Sequence, residues 1–218
     1  YRQKINSLGL STWFHPSVEI QRNDQVEFDH LKAFSNKGYD PKNIILPGDL
    51  LHVDFGITYL RLNSDIQEHA YVLKPAEKDA PEYLKNALTI GNRLQDILTN
   101  QFALNKTGNN ILADALAQAK KENINATIYT HPIGAHGHAA GPTIGMWDQQ
   151  NGVPGSGDYP MYYNTAYSIE LNAAVEIKEW KKTIRIMLEQ DGFFDQTGFR
   201  YISGRQTKLH LVGNPNWQ

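Results

Sequence analysis

The 218-residue sequence contains no cysteine. That excludes disulfides, thiolate metal sites and a cysteine nucleophile, and it fits an oxidising or a reducing compartment equally well. No apolar stretch approaches the ~20 residues of a membrane-spanning helix, so no span is expected. No long basic run is present and the formal net charge is −2, which argues against nucleic acid or an acidic membrane as a partner. There is no signal-peptide pattern and no initiator Met. The chain opens mid-pattern at Tyr1, which points to sequence upstream and leaves localisation open. What is present is a globular composition, 40% hydrophobic and 20% charged. The length suits one domain with a substantial core, taken here as 1–218.

Residues 1–9 read as the tail of a helix closed by Gly9. Trp13–Gln21 turns extended, with Val18 and Ile20 alternating against polar neighbours. Asn23–Asn43 is polar, punctuated by Gly38 and Pro41, and reads as a surface excursion. Pro47-Gly48-Asp49 marks a turn. Leu51–Leu73 then reads as two strands joined near Ile57–Asn63, with Asp54 on the first and Asp65 at the head of the second. Leu84, Leu88, Leu94, Ile97, Leu98 and Phe102 form a 3.6-residue stripe that predicts a helix over Pro81–Phe102. Asn109-Asn110 offers an N-cap to a second helix ending in Lys120-Lys121. Ala126–Tyr129 reads as a short strand and Pro142–Pro160 as a loop; Tyr159, Tyr162 and Tyr163, at and just past its end, could line a substrate pocket but are expected rather to pack the loop. Tyr167–Ile177 and Thr183–Leu188 read as an antiparallel pair, and Gly198–Val212 closes the domain. A strand pair carrying Asp54 and Asp65, two helices, and a strand pair carrying Glu170 and Glu189 make an architectural echo without a sequence repeat.

A carboxylate in an apolar strand is costly unless a cation, a donor or a proton compensates it. Taken singly, Asp54 and Asp65 suit strand ends that bond turn amides. Glu170 and Glu189 singly suit ion pairs, and Arg185 shares a strand face with Glu189. Three of the eight histidines, His131, His136 and His138, fall on one Gly-rich stretch, a density that favours a site. His15, His30, His52, His69 and His210 are scattered and read as structural, although His52 shares a strand face with Asp54. As a set, Asp54, Asp65, His131, Glu170 and Glu189 suit two adjacent divalent ions such as Mn, Fe, Co or Zn. Four carboxylates cannot crowd together near neutral pH without cations.

The order and spacing of these residues, from Trp13 to about Asp191, resemble the family of methionine aminopeptidase, Xaa-Pro dipeptidase (prolidase), aminopeptidase P and creatinase. Pro47-Gly48-Asp49-Leu50-Leu51-His52-Val53-Asp54-Phe55-Gly56 is similar to the family's first ligand strand. Ser64-Asp65-Ile66 is similar to its second, eleven residues on. His131, with Gly134 three later and His138 seven later, resembles its metal His and substrate-side His. Ile169-Glu170 and Leu188-Glu189 resemble its two ligand glutamates. A register with His136 or His138 as the ligand matches fewer of these spacings. The departures are Gln67-Glu68 where the family shows Thr or Arg, and Ala139 where it has Glu. Leu171-Asn172 replaces Pro-Gly, Arg185 and Glu189 are spaced more widely, and Trp147–Pro160 resembles an insertion.

The resemblance implies an α+β pita-bread fold: a curved antiparallel sheet with pseudo-two-fold halves and helices on its outer face. The helices that open the family's first half are missing, as in the C-terminal part of a longer chain. It implies a dinuclear-metal exopeptidase that cuts the N-terminal peptide bond of a small peptide or dipeptide, with a metal-bridging water as nucleophile. Asp65 and Glu189 are then bridging ligands, Asp54 chelates, and His131 and Glu170 hold the second ion. Mn comes first, ahead of Co, Fe and Zn. Glu170 is the implied proton shuttle and His138 the group at the scissile carbonyl, with His136 and Arg185 on the substrate side. Trp13-Phe14-His15-Pro16 and the long loop lean towards Xaa-Pro cleavage, with a methionine aminopeptidase-like enzyme as the neighbouring option and a homodimer as an option for assembly. The competing readings are a non-catalytic peptide- or protein-binding protein on the same fold and a metal-free amidinohydrolase like creatinase, which lacks most of the ligand carboxylates.

Overall fold

The computed structural model describes residues 1–23 and 45–213. The excursion expected over Asn23–Asn43 lies, from residue 24 on, outside the described residues, as does His30. The N-terminal helix, α1 (Arg2–Ser7), ends at Gly9, whose φ of +70° is one that glycine adopts without strain. Two strands follow, β1 (Ser11–Thr12) and β2 (Ser17–Gln21). The hairpin expected around Asp54 and Asp65 is β3 (Leu50–Phe55) against β6 (Ile66–Val72). Its connection is a smaller hairpin, β4 (Ile57–Tyr59) with β5 (Leu62–Asn63), which also pairs with β1.

Both helices form. The first, α2 (Glu82–Thr99), buries Leu84, Leu88, Leu94, Ile97 and Leu98 as the stripe predicts. It stops short of Phe102, whose ring instead packs edge-on against Tyr167, Phe194 and Phe199. The second, α3 (Gly108–Lys121), is capped by Thr107 rather than at Asn109-Asn110. Thr107 is extended, and its hydroxyl accepts the Asn110 N–H at 3.2 Å. Asn109 is drawn into the long loop, accepting from the Val153 N–H at 2.7 Å and donating to Asp158 at 2.8 Å.

The second half contributes β7 (Asn125–Ile128), β8 (His131–Pro132), β9 (Thr165–Ile177) and β10 (Lys182–Asp195). Short strands β11 (Gly198–Tyr201) and β12 (His210–Val212) close the chain. β10 runs past the expected end at Leu188, so Glu189 sits in mid-strand rather than at a terminus. The main sheet has the order β2-β3-β6-β10-β9-β7, with β8 also on β9. Alternation along β9 turns Tyr167, Ile169 and Leu171 into the core shared with α2 and α3, and turns Ser168, Glu170 and Asn172 to the other face.

The halves meet where β6 faces β10 in the register pair Glu189↔Gln67. Around this seam, side chains take over the work of strand hydrogen bonds. His69 Nε2 accepts the Met187 N–H at 2.9 Å. The Gln206 carboxamide pairs with both the N–H and the C=O of His69, each at 2.7 Å. Gln21 does the same for Arg185, at 2.8 and 2.7 Å. Each buried backbone group is thereby satisfied where no neighbouring strand supplies a partner.

Candidate metal centre

Strand register builds the site. Asp54 on β3 faces Gln67 on β6, Gln67 faces Glu189 on β10, and Glu189 faces Glu170 on β9. This row runs across the seam and places four polar side chains side by side. Asp65 enters at the head of β6. His131 opens β8, opposite Ser168. The five ligand-type residues therefore converge from both halves, and all five are buried.

Three overlapping groups have ligand atoms within 4.8 Å of one another: Asp54 with Asp65 and Glu189, His131 with Glu170 and Glu189, and Asp65 with His131 and His138. His131 Nε2 stands 3.9 Å from Asp65, 3.8 Å from Glu170 and 3.7 Å from Glu189. Those distances are too long for hydrogen bonds. They suit ligand atoms sharing one cation, since bonds of about 2.0–2.2 Å allow donor separations up to roughly 4 Å. The other ring nitrogen, Nδ1, lies 3.1 Å from the Pro132 carbonyl oxygen. A carbonyl only accepts, so the proton sits on Nδ1 and the Nε2 lone pair points at three carboxylates. Asp54 Oδ1 and His131 Nε2 are both buried and without a hydrogen-bond partner. Two unpartnered lone-pair atoms on members of one acidic cluster fit a divalent cation.

The electrostatics agree. Burial, and then the charge of Glu189, pushes Asp54 up to about 8. Asp65 and Glu170 are raised well above the carboxylate range for the same reasons in the same order. Without cations the cluster keeps protons that a cation would displace. Asp191, a further carboxylate whose two oxygens take the Asp65 N–H at 3.3 Å, is raised by burial to about 7. Burial and then Glu170 push Tyr129 up to about 12.

The remaining predicted residues lie around or away from the cluster. The His138 ring stands edge-on to His131, centroids 4.3 Å apart, and is exposed at the rim of the site. Burial on its inner side, and then His131, lowers its pKa. His136 is exposed and belongs to none of the three ligand groups. The Arg185 guanidinium donates to Asn172 at 2.9 Å, so the Glu189 pairing suggested by strand parity is not the contact made. His52 bonds Glu19 and Gln67, at 3.0 and 2.9 Å. A groove of about 580 Å³ beside Val72, Leu73 and Val212 holds none of these groups.

Gln67, Ser168 and Asp191 are neighbours of the ligands that were not recognised as such in the sequence. Each sits two positions from a ligand residue and therefore on the same strand face, which is the signal that finds them. Tyr129 was also missed, and the edge-on contact of Trp13 with His138, centroids 5.8 Å apart, was not foreseen. The Tyr129 ring is tilted against His131 and edge-on to His138 and Trp147, with centroids 5.5, 5.8 and 5.7 Å away.

No protein-family profile and no curated protein sequence matches the chain. Solved structures do. The X-Pro aminopeptidase of Thermotoga maritima superposes with a TM-score of 0.65 at 17% identity, covering 92% of this chain and 50% of that one. A dipeptidase of Pyrococcus horikoshii gives 0.68 at 17%, covering 97% and 52%. The N-terminal domain of the FACT complex subunit Spt16 from chickpea gives 0.68 at 11%, covering 97% and 50%. The chain spans about half the length of these structures. Together with the sheet and helices above, these likenesses define the architecture. The chain has the pita-bread fold.

Proposed function

We propose that this domain hydrolyses the N-terminal peptide bond of a small peptide, of the Xaa-Pro type, at a centre for two divalent cations with Mn the first choice. The observation that carries this reading is the buried convergence of Asp54, Asp65, His131, Glu170 and Glu189, with two lone-pair atoms unpartnered. Asp54, Asp65 and Glu189 would hold one ion and His131, Glu170 and Glu189 the other. When bound, the ions supply Lewis acidity and a water acidic enough to serve as nucleophile near neutral pH. Glu170, a buried carboxylate of the centre, is suited to accept a proton and pass it to the leaving amine. His138, at the rim beside His131, would donate to the scissile carbonyl oxygen. Tyr129 and Trp147 would wall the same approach.

The test is a peptide assay on Ala-Pro and Met-Ala substrates with added Mn. The reading expects cleavage of Ala-Pro, abolished in Asp65→Asn. Full activity in Asp65→Asn contradicts it.

A second reading, a non-catalytic peptide-binding protein, is favoured by one contact. Gln67 donates to Glu170 and Glu189 at 2.7 and 2.6 Å, satisfying part of the cluster without metal. Metal-free protein that binds a peptide without cutting it would support this reading.

A further inference from the structure

We propose that Gln67 is a positioning residue of the metal centre: its carboxamide ties Glu170 to Glu189 and fixes which of their oxygens face the cations. The proposal rests on the metal-centre reading above and goes beyond it, since Gln67 is not one of the ligands.

Gln67 is buried, with 1% of its surface exposed. Its Nε2 lies 2.7 Å from Glu170 Oε1 and 2.6 Å from Glu189 Oε2. Its Oε1 lies 2.9 Å from His52 Nε2. The orientation of the amide follows from chemistry: the two glutamates, ionised as cation ligands, only accept, so the NH₂ faces them and the carbonyl faces the His52 N–H. His52 is itself fixed by Glu19 at 3.0 Å. Both hydrogens of the NH₂ are used, one on each glutamate. A hydroxyl offers one hydrogen and would hold only one of the pair.

The consequence is directional. Glu189 Oε1, the oxygen Gln67 leaves, accepts from Ser168 at 2.6 Å and faces His131. Glu170 Oε2, also left by Gln67, faces His131 as well. Two buried carboxyl groups this close on adjacent strands cannot both ionise unless a shared donor or a cation compensates them. Gln67 holds them together before any ion arrives, so the centre does not reorganise when it fills.

The test is Co(II) binding to the full chain, read by visible absorption and by competition with a chelator. Gln67→Met keeps the volume and removes both donors. We expect it to bind Co(II) ten- to a hundredfold more weakly, with altered band intensities and an unchanged far-ultraviolet circular dichroism spectrum. Gln67→Asn keeps an amide that cannot reach both glutamates and should weaken binding in the same sense, which covers failure of the Met variant to fold. Gln206→Met removes a buried carboxamide that touches no ligand. It should lower stability and leave the cobalt spectrum as in the wild type. Wild-type affinity and spectrum in both Gln67 variants overturn the proposal, and so does an equal loss in Gln206→Met, which would mark a general packing effect. A wild-type chain that takes up no Co(II) overturns the metal-centre reading itself, and this proposal with it.

Discussion

Trp13 lies against Gly137 so closely that no side chain fits between them: a Cβ on Gly137 would overlap the indole ring. Gly56 is pressed against the same tryptophan. The indole N–H donates to the Ser64 carbonyl at 2.8 Å, one residue before Asp65. Trp13 therefore joins the hairpin that delivers Asp65 to the loop that carries His138, and the Asn63 N–H to Gly134 carbonyl bond at 2.8 Å runs between the same two segments. Gly137→Ala should push this loop off the tryptophan. We expect kcat/KM for peptide cleavage to fall about a hundredfold, the scale on which a misplaced group costs rate. Metal content should hold, because His131 is fixed separately by pairing with Ser168. Steady-state kinetics with metal analysis on one preparation checks both halves.

The acidic cluster predicts an unusual pH dependence. In the metal-free protein Asp54 titrates near 8, against a carboxylate value near 3.8 in the unfolded chain. Between those values the folded state keeps a proton that the unfolded chain has released, so stability falls as pH rises, by up to about 1.4 kcal/mol per pH unit for each such group. Cations displace the proton and remove the effect. Urea midpoints from pH 5 to 8 should decline in chelator and hold or rise in Mn. Parallel curves contradict the assignment.

His69 contributes with the opposite sign. It is fully buried, close to the Leu51 carbonyl through Nδ1 at 3.0 Å and accepting from Met187 through Nε2. Burial first, and then His52, lowers its pKa to about 3. The unfolded chain takes up a proton near 6.5 that the folded chain refuses until about 3, so stability falls as pH drops through that window. Comparing wild type with His69→Gln in chelator isolates this slope. The wild type should lose up to about 1.4 kcal/mol more per pH unit below 6.5. At pH 7 the variant should be less stable, by about 1–3 kcal/mol for the disturbed buried bonds.

Gln206→Ala strips partners from the His69 N–H and C=O at the seam. Each buried backbone group left unpaired costs about 1–3 kcal/mol, so a loss of roughly 2–6 kcal/mol is expected in chemical unfolding. A loss under 0.5 kcal/mol would show that another group replaces the carboxamide.

Strand parity and helical period made the hairpins and both helices legible from the sequence, and the order of the five ligand-type residues pointed to one centre. The cross-strand row from Asp54 through Gln67 and Glu189 to Glu170 was not legible, because register between distant strands depends on pairing that no local pattern encodes. β10 runs beyond Leu188 through Gly192, where a Cβ would overlap the Phe199 ring on β11, so its length rests on a packing contact that no local pattern encodes. The cap of α3 shifted to Thr107 because Asn109 had a partner in a loop some forty residues away, as its bond to Val153 shows. Glutamines that replace strand hydrogen bonds look, in sequence, like any other polar residue.

The proposed metal centre makes Asp54, Asp65, His131, Glu170 and Glu189 one cradle for two divalent ions. Metal content per chain, measured on protein purified without chelator and reconstituted with Mn, is the decisive test. Two ions bound per chain are expected, with loss of at least one in Asp65→Asn. A chain that holds no metal at saturating Mn, or an Asp65→Asn variant that still holds two ions, contradicts it.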